Sequence, residues 1–302
     1  MTAAITAVSV LINENSGGVS RQDTSVQIED LFAREGVRVR LERVRHGGDL
    51  AARARQAARR GDTLVAAGGD GTVGAVAAVA VETGLLFGVL PTGTLNHFAK
   101  DLRIPLDLAG AVRTIVAGRV RPVDVAEVNG RIFVNNSSLG IYPRMVWERD
   151  TEQRRGRRKA TAFGIAMLRT WRSYRTIAGR MLVDGAPHVV CTPFIFIGNN
   201  EYVAEGFQLG ARMSLDAGRL SVFVAPECGR FEILGLPLRA LVRRLDPEAH
   251  LARFSGVTVD VELARPRVSV ALDGEVTILR SPLRYRSRPG ALRMLVPPDT
   301  AA

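Results

Sequence analysis

Residues 64–72, LVAAGGDGT, constrain this chain's fold more than any other stretch. An apolar run breaks into Gly68-Gly69-Asp70-Gly71-Thr72 and resumes at once as the Ala/Val-rich run VGAVAAVAV. The pattern predicts a buried strand over 64–67, a tight glycine turn and a helix over 73–83. That geometry aims backbone N–H groups and the positive end of a helix dipole at a bound phosphate. A carboxylate beside an anion site is repulsive unless a cation intervenes, so Asp70 points to Mg2+ held between protein and nucleotide. An ordinary β-turn from strand to helix also uses Gly and Asp, and the pattern alone leaves that reading open.

The surrounding sequence alternates strand and helix. Ile5 to Ile12 reads as a strand, followed by the polar loop Asn13-Glu14-Asn15-Ser16-Gly17-Gly18. Ser20 and Asp23 loosely resemble a helix cap, and Val26, Leu31 and Phe32 supply an apolar helical face that ends at Gly36. Val37 to Val44 alternates apolar with charged residues, a strand with one wet face. An Ala/Arg helix over 49–60 stops at Gly61. Leu85 to Leu90 is a further buried strand that runs into Pro91-Thr92-Gly93-Thr94 and a helix from about Asn96. Strands alternating with helices of this length imply a three-layer α/β domain with a mostly parallel sheet. All three polar loops leave strands at their carboxyl ends, where such sheets bind ligands.

After about residue 120 the pattern changes. Val123 to Val128 and Arg131 to Asn135 flank Asn129-Gly130, a strong hairpin signal. Later short β-rich runs, Val189 to Ile197, Leu220 to Val224, Val257 to Leu263 and Val268 to Leu272, imply an antiparallel sheet or sandwich. The expected division is residues 1–122 with a returning segment 283–302, and a β-rich domain of residues 123–282. Between Thr161 and Ala178 a long helix is expected, with Phe163, Met167, Trp171, Tyr174 and Ile177 on one face. That stripe reads as core, or as an acyl-chain cleft or membrane contact. In the second reading Arg154, Arg155, Arg157, Arg158 and Lys159 meet lipid headgroups; a charge run of this kind also suits a solvated loop.

Composition narrows the classes. With 302 residues, 46% of them hydrophobic, the chain can build two cored domains. No run of about 18 apolar residues suggests a membrane span, and MTAAITAVSVLINEN reads as a first strand rather than a secretory leader. Cys191 and Cys228 lack neighbours at metal spacing and are expected to be free, buried thiols of a cytoplasmic protein. The formal charge of +11 is almost entirely Arg, with Lys only at Lys100 and Lys159. Biased composition explains such a preference, but so does attraction to an anionic leaflet, at about 1 kcal/mol per cationic side chain near the surface. Nucleic acid is not expected as a partner, because the few aromatics are not interleaved with the basic clusters.

GGDGT at 68–72, PTGTLNHFAKDLRIP at 91–105, VDVAEVNGRIFVNNSSLG at 123–140 and Leu272-Asp273-Gly274-Glu275 together resemble the diacylglycerol kinase catalytic family, with its bacterial lipid kinases and the related sphingosine kinases. The resemblance implies an α/β nucleotide domain, a C-terminal antiparallel β-sandwich and a final segment returning to the first domain. It implies ATP- and Mg2+-dependent phosphorylation of a lipid alcohol by a cytoplasmic, peripherally membrane-associated enzyme, with a homodimer left open. On the family's pattern the nucleotide site maps to Asn13, Ser16, Gly17, Gly68, Gly69, Asp70, Gly71, Thr72, Thr92, Gly93, Thr94 and Asn96. Glu275 falls on the acid/base residue. Asp70 and Asp124 fall on residues that hold Mg2+ directly or through water, and Asp216 on an auxiliary metal loop.

The chain departs from that pattern in three places. The first loop reads NENSGG where relatives have Asn-Pro-x-Ser-Gly followed by a basic residue. His97 replaces an Asp, and Leu215-Asp216-Ala217-Gly218 carries its carboxylate one position early. Two other readings stand beside the lipid kinase. One is a non-catalytic lipid or nucleotide binder of the same fold. The other is a kinase of a soluble substrate, because GGDGT is also similar to the glycine motif of NAD kinases and phosphofructokinases.

Overall fold

The computed structural model describes residues 5–13, 21–44, 50–140, 176–205, 208–212, 214–226 and 251–298. In chain order the elements are β1 (Ala7–Asn13), α1 (Arg21–Arg34), β2 (Arg38–Val44), α2 (Leu50–Ala58), β3 (Thr63–Gly68), α3 (Asp70–Thr83), β4 (Leu86–Pro91), α4 (His97–Asp101), α5 (Leu108–Ala117), β5 (Arg119–Val128), β6 (Arg131–Phe133) and β7 (Asn136–Gly140). They continue as β8 (Ile177–Val183), β9 (Ala186–Thr192), β10 (Phe194–Asn199), β11 (Tyr202–Glu205), β12 (Gln208–Arg212), β13 (Leu220–Val224), β14 (Ala252–Gly256), β15 (Thr258–Leu263), β16 (Arg267–Leu272), β17 (Glu275–Arg280) and β18 (Leu283–Val296). Met1–Val125, Arg131–Asn135 and Arg288–Ala302 make one compact unit; Ala126–Gly130 and Asn136–Ser287 make the other.

The first unit is the expected α/β domain. Its strands run β2-β1-β3-β4 with the end of β18 beside β4, and every one of these pairings is parallel. All six residues of β3 are buried, as a central parallel strand covered on both faces requires. Val8, Val10, Leu64, Val65 and Phe87 are fully buried, each stabilising the fold by about 2 kcal/mol relative to exposure. The chain leaves β1 for β2 on one side and returns to β3 on the other. The carboxyl ends of β1 and β3 therefore flank a topological switch point, the usual ligand crevice of such sheets.

Among the described residues the strand pairings of the second unit are antiparallel, apart from an isolated parallel bridge between Asn200 and Leu220. One sheet has the order β14-β13-β10-β7-β16-β17, and a second run pairs the start of β18 with β15, β8 and β9. The Tyr285 hydroxyl of β18 lies 3.0 Å from Ser137 Oγ of β7, bridging the two sheets. Burial pushes the Tyr285 hydroxyl well above its usual pKa, and the bond to Ser137 only partly offsets this. Three two-residue turns, Asn129-Gly130, Asp184-Gly185 and Asp273-Gly274, have positive φ at both positions (47° and 79°, 47° and 84°, 47° and 86°). Such turns match the twist of the strands they join.

Several expectations are corrected. Val26 is 54% exposed; Phe32 is buried as expected, but Ser25 and Ile28 complete the buried face of α1 in place of Val26. The expected strand Val189 to Ile197 is two strands in different sheets, divided at Pro193, which has no N–H to continue a ladder. Ile177 and Ala178 open strand β8 and belong to no helix; residues 161–175 lie outside the described residues, as do Ser20 and Cys228. Cys191 is exposed, not buried, because it points outward from β9. No described helix is long and apolar enough to cross a membrane.

Asp184 ties the β8–β9 turn to β15. Its Oδ1 accepts N–H bonds from Thr258 at 2.8 Å and Val257 at 2.9 Å. The Thr258 N–H bond, aided by Val257, the Thr258 hydroxyl and the charge of Arg219 against a desolvation cost, holds the carboxyl below its usual range. Because the folded pKa is depressed, this stabilisation is fully present above about pH 4 and is lost as pH falls through the folded value. Asp184→Ala should therefore melt below the wild type at pH 7, with the gap narrowing below about pH 4; a gap independent of pH would refute the assignment.

Candidate active site

Strand β3 ends at Gly68 and helix α3 begins at Asp70, so the whole connection is Gly69. Gly69 is extended (φ −89°, ψ −174°) and places no side chain over the helix start. The first bond within α3 runs from Val73 N–H to Gly69 C=O at 3.0 Å. The N–H groups of Asp70, Gly71 and Thr72 thus have no acceptor inside the helix, and the dipole favours an anion there. Thr72 is buried against Gly68, where a Cβ would lie 2.5 Å from Thr72 Oγ1. The Gly-to-Thr spacing is therefore steric as well as chemical.

The loop after β4 meets this turn backbone to backbone. A Cβ on Gly93 would lie 2.3 Å from Gly69 Cα and 2.8 Å from Gly69 N, so only glycine allows the approach. Asn96 holds the loop in shape. It adopts a left-handed conformation (φ 51°, ψ 45°), its Oδ1 accepts from Gly93 N–H at 3.1 Å, and its Nδ2 donates to Gly93 O at 2.8 Å and Pro91 O at 3.3 Å. The amide expected to bind nucleotide is thereby engaged with its own loop. Thr94 is exposed, and Thr92 and Gly93 are half-buried.

Asp70 joins the two loops. Its Oδ2 accepts from His97 N–H at 3.2 Å, and its Oδ1 from Phe98 N–H at 3.1 Å and Asn135 Nδ2 at 3.4 Å. The His97 side chain is exposed. Asp124 is differently placed: it is 2% exposed, and its Oδ1 accepts from Gly290 N–H of β18 at 2.7 Å. That is the position of an anchor for the returning strand. Asn13 ends β1; Ser16 and Gly17 lie outside the described residues.

In the second unit Glu275 is the exposed first residue of β17, opposite Leu272 across the Asp273-Gly274 turn. The turn is pinned to the start of β7: Asn136 N–H donates to Asp273 Oδ1 at 3.1 Å, and Asp273 N–H donates to Asn136 O at 2.9 Å. Asn135, which bonds Asp70, and Asn136, which bonds Asp273, are consecutive in the chain. Neither bond was foreseen from the sequence; a pair of Asn residues just beyond an Asn-Gly hairpin was the available signal. Asp216 is exposed and hydrogen-bonded to Ser214 Oγ, and Ala217 N–H donates to Asn200 Oδ1 at 2.9 Å. Arg157, Arg158, Lys159, Phe163, Met167 and Trp171 lie outside the described residues.

Among the described residues no group of three or more His, Cys, Asp or Glu side chains could hold a metal ion. Mg2+ at nucleotide sites typically keeps several waters and takes one or two carboxylates with the phosphates. Asp70 fits that demand in part. A carboxylate offers about four lone-pair positions, three of which are used here, leaving one on Oδ2. Asp124 is buried, with Oδ1 engaged by Gly290 N–H.

Residues 7–128 match the diacylglycerol kinase catalytic domain, and residues 144–296 match the YegS C-terminal NAD kinase beta sandwich-like domain. A Klebsiella pneumoniae protein named "Probable lipid kinase YegS-like" is 31% identical over 257 residues, covering 79% of each chain. The chain belongs to the diacylglycerol kinase catalytic family. A Bacillus subtilis diacylglycerol kinase is 32% identical over 143 residues, 46% of this chain and 47% of that one. A diacylglycerol kinase structure from Bacillus anthracis shares the fold, with a TM-score of 0.70 and 18% identity over 99% of this chain and 100% of that one. The catalytic-domain match spans both glycine loops and Asp124; the C-terminal match spans Asp216 and the Asp273-Gly274-Glu275 turn. Family membership implies kinase chemistry with ATP as the phosphate donor.

Gly93→Ala should lower stability by about 1–3 kcal/mol, because the new methyl group meets backbone that cannot rotate away. Gly69→Ala, whose Cβ would sit 3.5 Å from Gly93 Cα, should cost less. Thermal melts of the two variants check this; equal melting temperatures would contradict the close approach.

Proposed function

We propose that this chain transfers the γ-phosphate of ATP, with Mg2+, to a hydroxyl group of a diacylglycerol-like or sphingoid-like lipid alcohol. The backbone contact between Gly69 and Gly93 supports this reading most, since it sets two glycine loops side by side beneath an uncapped helix start. The N–H groups of Asp70, Gly71 and Thr72 would receive phosphate oxygens, with Thr92, Gly93 and Thr94 on the other side. Asn13, Ser16 and Gly17 would complete the site from the first loop. Asn96 would serve by shaping the second loop rather than by touching nucleotide.

When bound, Mg2+ neutralises charge on the phosphate oxygens. The remaining Asp70 lone pair on Oδ2 is the position offered to the ion or one of its waters. Asp124 acts through β18, holding Gly290. Glu275 takes the proton of the lipid hydroxyl as that oxygen bonds to the γ-phosphorus, and the bond from phosphorus to the β–γ bridging oxygen breaks with ADP as leaving group. A lipid alcohol is a poor nucleophile, so a carboxylate at its proton contributes, although alignment and charge neutralisation supply most of the rate.

The second unit would present the lipid, from the cytoplasmic side of a membrane. Arg157, Arg158 and Lys159 would contact anionic headgroups and Phe163, Met167 and Trp171 the acyl region, in keeping with a net charge of +11. Binding to vesicles containing anionic lipid should weaken as salt is raised, because surface charges are screened. Sedimentation that is indifferent to salt and to anionic lipid would reject this contact.

The decisive assay adds radiolabelled ATP and Mg2+ to a total lipid extract, with NAD as a soluble acceptor in parallel. Label should enter a lipid. Glu275→Gln should reduce transfer about 100-fold or more while nucleotide affinity stays within about twofold. Label in the dinucleotide alone, no transfer to any acceptor, or full activity in Glu275→Gln would overturn the reading.

A further inference from the structure

The hydrogen bonds of Asp70 carry an inference beyond its offer to a metal. Helix α4 has five residues, too few to persist alone in water. Its N-cap, Asn96, makes no side-chain bond to the helix and instead holds Gly93 and Pro91. The N–H groups of His97 and Phe98, first-turn donors with no acceptor inside the helix, are satisfied by Asp70, 27 and 28 residues earlier in the chain. Hydrogen bonds from N–H groups to an ionised carboxylate are among the stronger kind.

Two further observations bear on the same carboxylate. Asn135 is 5% exposed and its Nδ2 donates to Oδ1, the oxygen that also receives Phe98 N–H. Gly69, immediately before Asp70, is the residue whose backbone Gly93 approaches. Phe98 and Ala99 are buried and tether the far end of the second loop to the core. Asp70 thus spans from one glycine loop to the anchored end of the other, with a buried amide fixing its orientation.

We propose that Asp70 is a positioning residue: its carboxylate, oriented by Asn135, clasps the 92–98 loop to the 68–72 turn before any metal arrives. The phosphate cradle is preformed, and a metal finds the turn already set. The functional consequence rests on the kinase reading; the clasp itself does not.

Amide hydrogen exchange in EDTA, without nucleotide, tests the clasp without measuring turnover. In the wild type the His97 and Phe98 amides should be protected, and added Mg2+ should change their rates by less than about twofold. Asp70→Ala should exchange at least about tenfold faster at both amides, while amides of β3 keep their wild-type rates. Asp70→Asn retains one acceptor oxygen and should fall between the two, and Asn135→Ala should show a smaller acceleration centred on Phe98. If Asp70→Ala fails to fold, the Asn substitution and Asn135→Ala decide the matter. Wild-type amides protected only with Mg2+, or variants indistinguishable from wild type, would overturn the proposal. Failure of lipid phosphorylation would count against the kinase reading alone.

Discussion

The contact of Gly69 with Gly93 is the constraint on which the rest of the site depends. Two parallel strands end side by side, and their loops can meet only because Gly93 carries no Cβ at that point. That approach leaves the start of α3 open, with three N–H groups lacking a helical acceptor. Asp70 then adds a charge-assisted link to the first turn of α4. The same residue that makes the turn look like a nucleotide site is the one that holds its second loop in place.

The second unit applies a related device to different ends. Its hairpin turns place Asn or Asp before Gly because both positions need positive φ, and the Asn or Asp side chain then anchors the turn. Asn129 reaches Arg280 O and Arg284 N–H, Asp184 reaches β15, and Asp273 reaches Asn136. Glu275 follows the last of these turns, so its backbone is fixed while its side chain stays exposed. A carboxylate so presented is suited to meeting a substrate and contributes little to the core.

Much of the first unit was legible because the period of the hydrophobic pattern and the glycine punctuation agree there. The run 64–72 could scarcely be other than a buried strand, a turn and a helix. Asn129-Gly130 likewise announced its hairpin. The failures have physical causes of their own. Pro193 lies inside an apolar run that reads as one strand, yet its missing N–H divides that run between two sheets. Ile177 continues a helical spacing by coincidence of period and sits in β8. The roles of Asp70, Asp124 and Asn135 depend on which hydrogen-bond partners lie near them across long sequence separations, and that of Asn96 on how its own loop closes. Residue type alone therefore did not reveal these hydrogen bonds.

The account stands or falls on whether the paired glycine loops receive a triphosphate. A crystal structure of the chain with Mg2+ and a non-hydrolysable ATP analogue tests this most directly. The account predicts phosphate oxygens about 3 Å from the N–H groups of residues 70–72, with the 92–94 loop against the same phosphates. A triphosphate bound elsewhere, with both glycine loops in contact only with solvent, would contradict it.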